Sequence, residues 1–184
     1  MVDSAALTGE WTLDPAHTRI GFSARHAMVT KVRGHFESFE GTAYIDGDNP
    51  ANSHVEVTIA ANSIDTNNQM RDDHLRNNDF LEVDKYPTIT FKSTQAERLD
   101  ADTVRITGDL TLKETTKPVS LDFDFGGLVT DPMGATRIGF EGTTSINRQD
   151  YGVAFSAALE TGGLLVSDKV GIEIEVAAVK NEVN

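Results

Sequence analysis

Apolar and polar residues alternate with a period of two along most of this chain, which is the side-chain repeat of a β-strand. Ile20, Phe22, Ala24 and His26 share one face of an extended segment, with Arg19, Ser23 and Arg25 on the other. Phe39, Gly41, Ala43 and Ile45 likewise oppose Glu40, Thr42 and Tyr44. Val55, Val57 and Ile59 follow the turn-forming run Asp46-Gly47-Asp48-Asn49-Pro50. Further on, Ile89 and Phe91 alternate with polar neighbours, as do Val104 to Leu112, Val119 to Phe125, Ile138 to Thr144 and Ile172 to Val176. About eight short strands joined by turns predict an all-β sandwich or barrel. One apolar and one polar face per strand fits antiparallel pairing with one side in water. Closure into a barrel would remove the open edges.

The inward positions include several small residues: Ala24, Gly41, Ala43, Gly108, Gly142 and Thr144. Beside Phe22, Phe39, Phe123, Phe125 and Phe140, they predict an apolar hollow, since an eight-stranded barrel is either just filled or holds one small ligand. For a single glycine, a bend or bulge is the simpler reading.

The alternation breaks once, between Ser63 and Phe91. Thr66-Asn67-Asn68-Gln69 fits a capping box, with Thr66 and Gln69 as reciprocal partners. Met70 and His74 then lie one turn apart, as do Arg71 and Leu75, and Asp72 and Arg76 are spaced as an i,i+4 pair. Asn77-Asn78 reads as the stop, and Tyr86-Pro87 returns the chain to extended backbone. A helix here closes the barrel mouth, with Met70, His74 or Leu75, and Phe80 turned inward. Most of the charges of Arg71-Asp72-Asp73 are expected to hold the helix rather than do chemistry. Elsewhere, Arg148 and Asp150 read as a pair fixing a corner.

Composition narrows the function classes. The chain has 184 residues, with no Cys, and carries 16 Lys and Arg against 29 Asp and Glu, a net charge of −13. One domain over residues 10–180 is expected, preceded by a loose tail over 1–9. The acidic balance argues against nucleic acid and against docking on anionic lipid. No apolar run reaches the ~18 residues of a membrane span, and MVDSAALTGEW lacks the marks of a secretory leader. The expected location is therefore cytoplasmic. Zincin, nucleophile-elbow, P-loop and dinucleotide-binding motifs are missing, and the five His residues show no metal-ligand spacing on one element. Neither a metal nor a catalytic set is predicted.

A series of short motifs carries a resemblance. They include Trp11-Thr-Leu-Asp14-Pro15-Ala-His17, Gly34-His-Phe36, Ser63-Ile-Asp-Thr66 and Arg71-Asp72-Asp73-His74-Leu75. Tyr86-Pro87-Thr-Ile-Thr-Phe91, Thr116-Lys117-Pro118-Val119 and Arg148-Gln-Asp150-Tyr151-Gly152 continue it in order. The whole resembles the YceI-like, or polyisoprenoid-binding, family. That resemblance implies an extended, antiparallel, eight-stranded lipocalin-like barrel with an internal tunnel, often a homodimer. The implied partner is a lipid-like small molecule such as a polyisoprenoid, an isoprenoid quinone or a fatty-acid derivative. No cofactor is required, although an isoprenoid lipid or quinone could be bound.

Expected lining residues are Phe22, Ala24, Phe39, Met70, Leu75, Phe80, Phe91, Phe123, Phe125 and Phe140. His26, Arg71 and His74 are the head-group candidates. Two rivals stay open. One is an enzyme acting on an isoprenoid or quinone, using His74 with Asp72 or Asp73 as acid and base. The other is a stress-related interaction module with a filled core.

Overall fold

The alternating segments pair as antiparallel neighbours in one continuous sheet. The computed structural model describes residues 2–157 and 165–183. In chain order, the strands described are β1 (Gly9–Leu13), β2 (Arg19–His26), β3 (Thr30–Phe36), β4 (Phe39–Ile45), β5 (His54–Ala60) and β6 (Ile64–Asp65). They continue as β7 (Thr88–Arg98), β8 (Thr103–Leu112), β9 (Thr115–Thr130), β10 (Thr136–Asn147) and β11 (Lys169–Lys180). Among the described residues two α-helices, α1 (Ser4–Leu7) and α2 (Gln69–Arg76), flank them.

Eight strands close the ring in the order β1-β4-β5-β7-β8-β9-β10-β11, and β1 pairs again with β11. The closing strand is short. Trp11 pairs with Ala43 of β4 on one side and Lys180 of β11 on the other. Lower down β11, at Gly171–Glu175, the same edge is taken over by β2, which pairs onward with β3 and then β6. The barrel is thereby extended at one end by the β2–β3 hairpin. The period-two reading passed over β1, which is only five residues long. It also passed over β3, where only Val32, Gly34 and Phe36 mark the inner face.

The buried core is split between the two ends. At the α2 end, Ile20, Ile59, Ile64, Phe80, Leu81 and Tyr151 belong to one cluster. At the α1 end, Trp11, Ile138 and Ala178 form a second, with Leu7, Phe125 and Phe140 packed against it. Between them, inward residues such as Val104, Ile106, Leu110 and Ile174 remain half-buried and face a hollow.

Residues 1–9 had been expected to be a loose tail, but the described part of that segment packs on the barrel. Asp3 caps α1, accepting from the Ala5 N–H at 3.0 Å. Trp11 Nε1 donates to Leu7 O at 2.9 Å, and Lys180 Nζ donates to Ala6 O at 3.0 Å. A wholly buried indole N–H needs an acceptor, and α1 supplies it.

A charged clasp holds the same end. Arg137 reaches Asp131 and Asp14, each at 2.7 Å, joining the β9–β10 turn to the segment after β1. His17 also bonds Asp14, and with Arg137 it keeps the Asp14 carboxyl below the usual carboxylate range against the opposing effect of burial. Arg137 does the same for Asp131, helped by the Ala135 N–H. Carboxylates depressed in the folded state stabilise it above their unfolded pKa, and that contribution is lost as pH falls through the folded values. Arg137→Met should therefore lower the melting temperature at about pH 7 and lower it less at about pH 2, since the clasp's contribution is lost progressively as pH falls through the depressed folded values. Thermal melts of the two proteins across that range check this; an equal shift at both pH values would contradict it.

Candidate functional site

A cavity of about 850 Å³ runs along the barrel between the two core clusters. Phe22 and Ala24 line it from β2, Phe91 from β7, Phe123 and Phe125 from β9, and Phe140 from β10. Leu75 from α2 and Phe80 just after it line the α2 end. Two other residues expected in the lining, Met70 and Phe39, are placed elsewhere. Met70 is 85% exposed: α2 packs beside β6 with Asp72 buried and Leu75 on the cavity wall, which leaves Met70 in water. Phe39 packs against the α2-end core cluster without joining the cavity wall.

The small inward residues act differently from the expectation that they leave empty space. An added Cβ on Gly142 would lie 2.6 Å from Phe123 Cδ1, one on Gly108 2.5 Å from Phe91 Cζ, and one on Gly34 2.5 Å from Phe22 Cζ. Each glycine is the seat of an aromatic ring. Phe123 and Phe22 stand directly across from Gly142 and Gly34 in the strand register. The rings therefore lie down against the sheet instead of standing into the lumen. The hollow exists because the glycines let the wall be thin there.

None of the three predicted head-group residues lines the cavity. His26 is exposed and outside the lining, although it bridges Val166, which does line the cavity. Arg71 donates from Nε to Thr66 Oγ1 and from Nη2 to Thr66 O, each at 2.7 Å. Thr66 in turn donates through its N–H (2.9 Å) and its hydroxyl to the buried Asp72. This relay ties the start of α2 to the strand before it. Thr66 is thus no cap; Asn68 is, accepting from the Arg71 N–H at 3.0 Å. Arg76 pairs with Asp73 rather than Asp72 and donates to the carbonyls of Asn62 and Ile64. His74 bonds Asp79 through Nε2 at 2.8 Å, and its ring meets Phe80 and Phe155 edge-on at 5.0 and 5.2 Å. It braces the aromatic closure from behind. The acid–base set drawn from His74 with Asp72 or Asp73 is therefore not assembled at the cavity.

Two arginines that the sequence reading did not place there do line it: Arg148 and Arg98. Arg148 is buried at the α2 end, and burial pushes its pKa down against the attraction of Asp168. Its guanidinium donates to the carbonyls of Ser167, Val153, Phe155 and Val166 and pairs with Asp168 at 3.3 Å. The corner role expected of it is observed, with Asp168 in place of Asp150. A guanidinium has five N–H groups, so Arg148 has none left for a ligand. Arg98 sits at the α1 end, donating to the carbonyls of Asp100 and Ala101 at 3.0 and 3.3 Å. Strict alternation from Ile89 and Phe91 would turn Arg98 outward. A register shift between Ser93 and Gln95 reverses the phase and brings Ala96 and Arg98 to the inside. The apolar Ala96 among polar neighbours was the available signal. On the outer surface, His35, Glu37 and Asp65 bring their donor atoms within 4.8 Å of one another, apart from the cavity.

The YceI-like domain model matches residues 11–178. The chain belongs to the YceI-like family. Protein YceI of Escherichia coli O157:H7 is 40% identical over 151 residues, 81% of this chain and 78% of that one. A UPF0312 protein of Pseudomonas aeruginosa is 40% identical over 150 residues, with 80% and 78% covered. The solved YCEI protein of Campylobacter jejuni superposes on this YceI-like chain with a TM-score of 0.74 at 34% identity, covering 92% of this chain and 97% of that one. A polyisoprenoid binding domain from Saccharophagus degradans shares the fold, with a TM-score of 0.70 at 16% identity and coverage of 93% and 98%.

The ring seats give a direct test of how the lumen is kept open. Gly142→Ala should force the Phe123 ring off the wall, at an overpacking cost of about 1–3 kcal/mol. Its binding of a long-chain fluorescent probe should weaken several-fold, while the same substitution at the open Gly134 turn leaves binding unchanged. Unaltered probe affinity in Gly142→Ala would show that the ring does not set the free width.

Proposed function

We propose that this YceI-like protein binds and carries a single long apolar chain, such as a polyisoprenoid, an isoprenoid quinone or a fatty-acid derivative. The observation that carries the proposal is the 850 Å³ cavity, walled by Phe and aliphatic side chains and running between the two barrel ends. That volume lies in the upper part of the range for small-molecule sites, roughly 300–1,000 Å³. A filled interaction module would not maintain it, because wall atoms beside a void forgo dispersion contacts. The shared fold of the polyisoprenoid binding domain from Saccharophagus degradans supports the same class of ligand.

Affinity in such a site comes from burial, at about 0.8 kcal/mol per CH₂. The polar end of the ligand is assigned to the α1 end, where the wall includes Arg98, Asp100, Asp102 and His54. Arg98 retains Nη1 as a donor with no partner among the described residues. A neutral or singly charged head suits this end better than a diphosphate, since two carboxylates flank the one guanidinium. The reading is of a binder because the wall is built mainly of Phe and aliphatic side chains.

A homologous series of saturated alcohols or fatty acids, measured by displacement of a fluorescent probe, tests this. Each added CH₂ should tighten binding by about fourfold until the tunnel is full, after which the gain stops. Affinity independent of chain length, or protein recovered from its host without any extractable lipid and without saturable probe binding, would refute the proposal.

A further inference from the structure

The β2–β3 hairpin reverses the charge of the rest of the molecule. Between Asp14 and Glu37 the chain carries no Asp or Glu, yet it holds Arg19, Arg25, Lys31 and Arg33 in a protein of net charge −13. All four are exposed. Arg25 stands directly across from Lys31 in the strand register, and Arg33 is across from Ser23 on the same outer face. Like charges placed opposite one another on a sheet destabilise it.

The partner pattern singles out this patch. Arg71, Arg76, Arg98, Arg105, Arg137 and Arg148 each hold a carbonyl, hydroxyl or carboxylate within the protein. Among the described residues, the side chains of Arg19, Arg25 and Arg33 hold none.

The tip adds an apolar element. Met28 and Val29 are 56% and 75% exposed. Ala27 and Met28 have φ of 51° and 61°, the left-handed conformation that a tight hairpin turn usually assigns to Asn or Gly. A strained, exposed methionine where a polar turn former would fit better indicates a use for the side chain. The tip extends past the part of β2 that pairs with β11, at the end of the barrel that carries α2.

We propose that the β2–β3 hairpin is a docking element for an anionic lipid surface, with Arg25, Lys31 and Arg33 meeting the head groups and Met28 and Val29 entering the interface. Basic residues flanking an apolar tip are the arrangement an interfacial anchor requires. The occupant is a membrane rather than an acidic protein because the apolar part is a two-residue tip, too small for a protein interface core. Docking sets the α2 end against the bilayer and leaves the Arg98 end in water. It goes beyond the cargo reading and does not depend on it.

Sedimentation with vesicles tests the proposal. The full chain should pellet with vesicles of equal parts phosphatidylglycerol and phosphatidylcholine, should stay in solution with phosphatidylcholine alone, and should be released by high salt. The double variant Arg25→Glu with Arg33→Glu should lose roughly tenfold or more in partition, since each basic residue near such a surface contributes separately. Met28→Asn, which suits the turn backbone, should also weaken binding while leaving melting temperature equal or higher. Probe binding in the cavity, measured on the same variants, should be unchanged, which separates failure of docking from failure of cargo binding. Equal partition of the wild type onto both vesicle types would overturn the proposal. So would undiminished binding by the charge-reversed variant, or a lipid-independent complex with an acidic protein while anionic vesicles are ignored.

Discussion

Closure at Trp11 is the constraint on which the rest of this barrel depends. β1 is five residues long and must serve two partners, β4 and β11, or the sheet has two open edges and no interior. Its central side chain is wholly buried, and its one polar atom is satisfied by α1. The N-terminal segment is thereby part of the closure. Lys180 adds to it by lying over the indole ring at 5.8 Å while donating to Ala6 O. The charged clasp of Asp14, Arg137 and Asp131 sits beside the same seam and ties its two sides together.

With the ring closed, the middle can remain hollow only if the ends are well packed. An empty apolar space removes contacts from every atom around it. This fold answers that loss by gathering its buried side chains into two clusters, one around Trp11 and one around Phe80 and Tyr151. Between them the wall is thin, because Phe22, Phe91 and Phe123 rest on glycines. Packing, rather than an absence of residues, maintains the space.

The sequence made the strands legible because one-sided burial writes a period of two. It also made the lining aromatics legible, since phase alone tells inside from outside. It failed where phase is interrupted or has no referent. At Ser93–Gln95 a bulge reverses the phase, so alternation carried on from Ile89 and Phe91 puts Arg98 on the wrong face. At His26, the last residue of β2, the inward phase is kept and the residue even bridges the cavity-lining Val166, yet its side chain is exposed, so phase alone does not place it in the lumen. Helical phase at α2 was weaker still: Met70 and His74 share a face that looks past the barrel, and Leu75 alone of the expected helix residues reaches the lumen. Taken together the small inward residues predict open space, because a sequence shows what a position lacks and not which neighbour occupies it.

Net charge misleads for a related reason. A value of −13 averages over the whole surface, whereas an approaching charged plane is felt over a Debye length, about 8 Å at physiological ionic strength. At the tip of the β2–β3 hairpin the nearest charges along the chain are all positive, and the acidic excess lies elsewhere in the sequence. Pairing sharpens the contrast. Arg105 and Arg137 are neutralised by aspartates at 2.7 Å, so they contribute little field at a distance. Arg25 and Lys31 instead reinforce one another across the ladder. The carboxylates nearest in the sheet, Glu175 across from Arg19 and Asp65 across from His35, lie toward the base of the hairpin, so its tip presents a positive face on an acidic protein. Raising the acidic content elsewhere would then improve solubility and hold the rest of the molecule off an anionic surface. The hairpin would remain the contact favoured by charge, which fixes an orientation as well as an affinity.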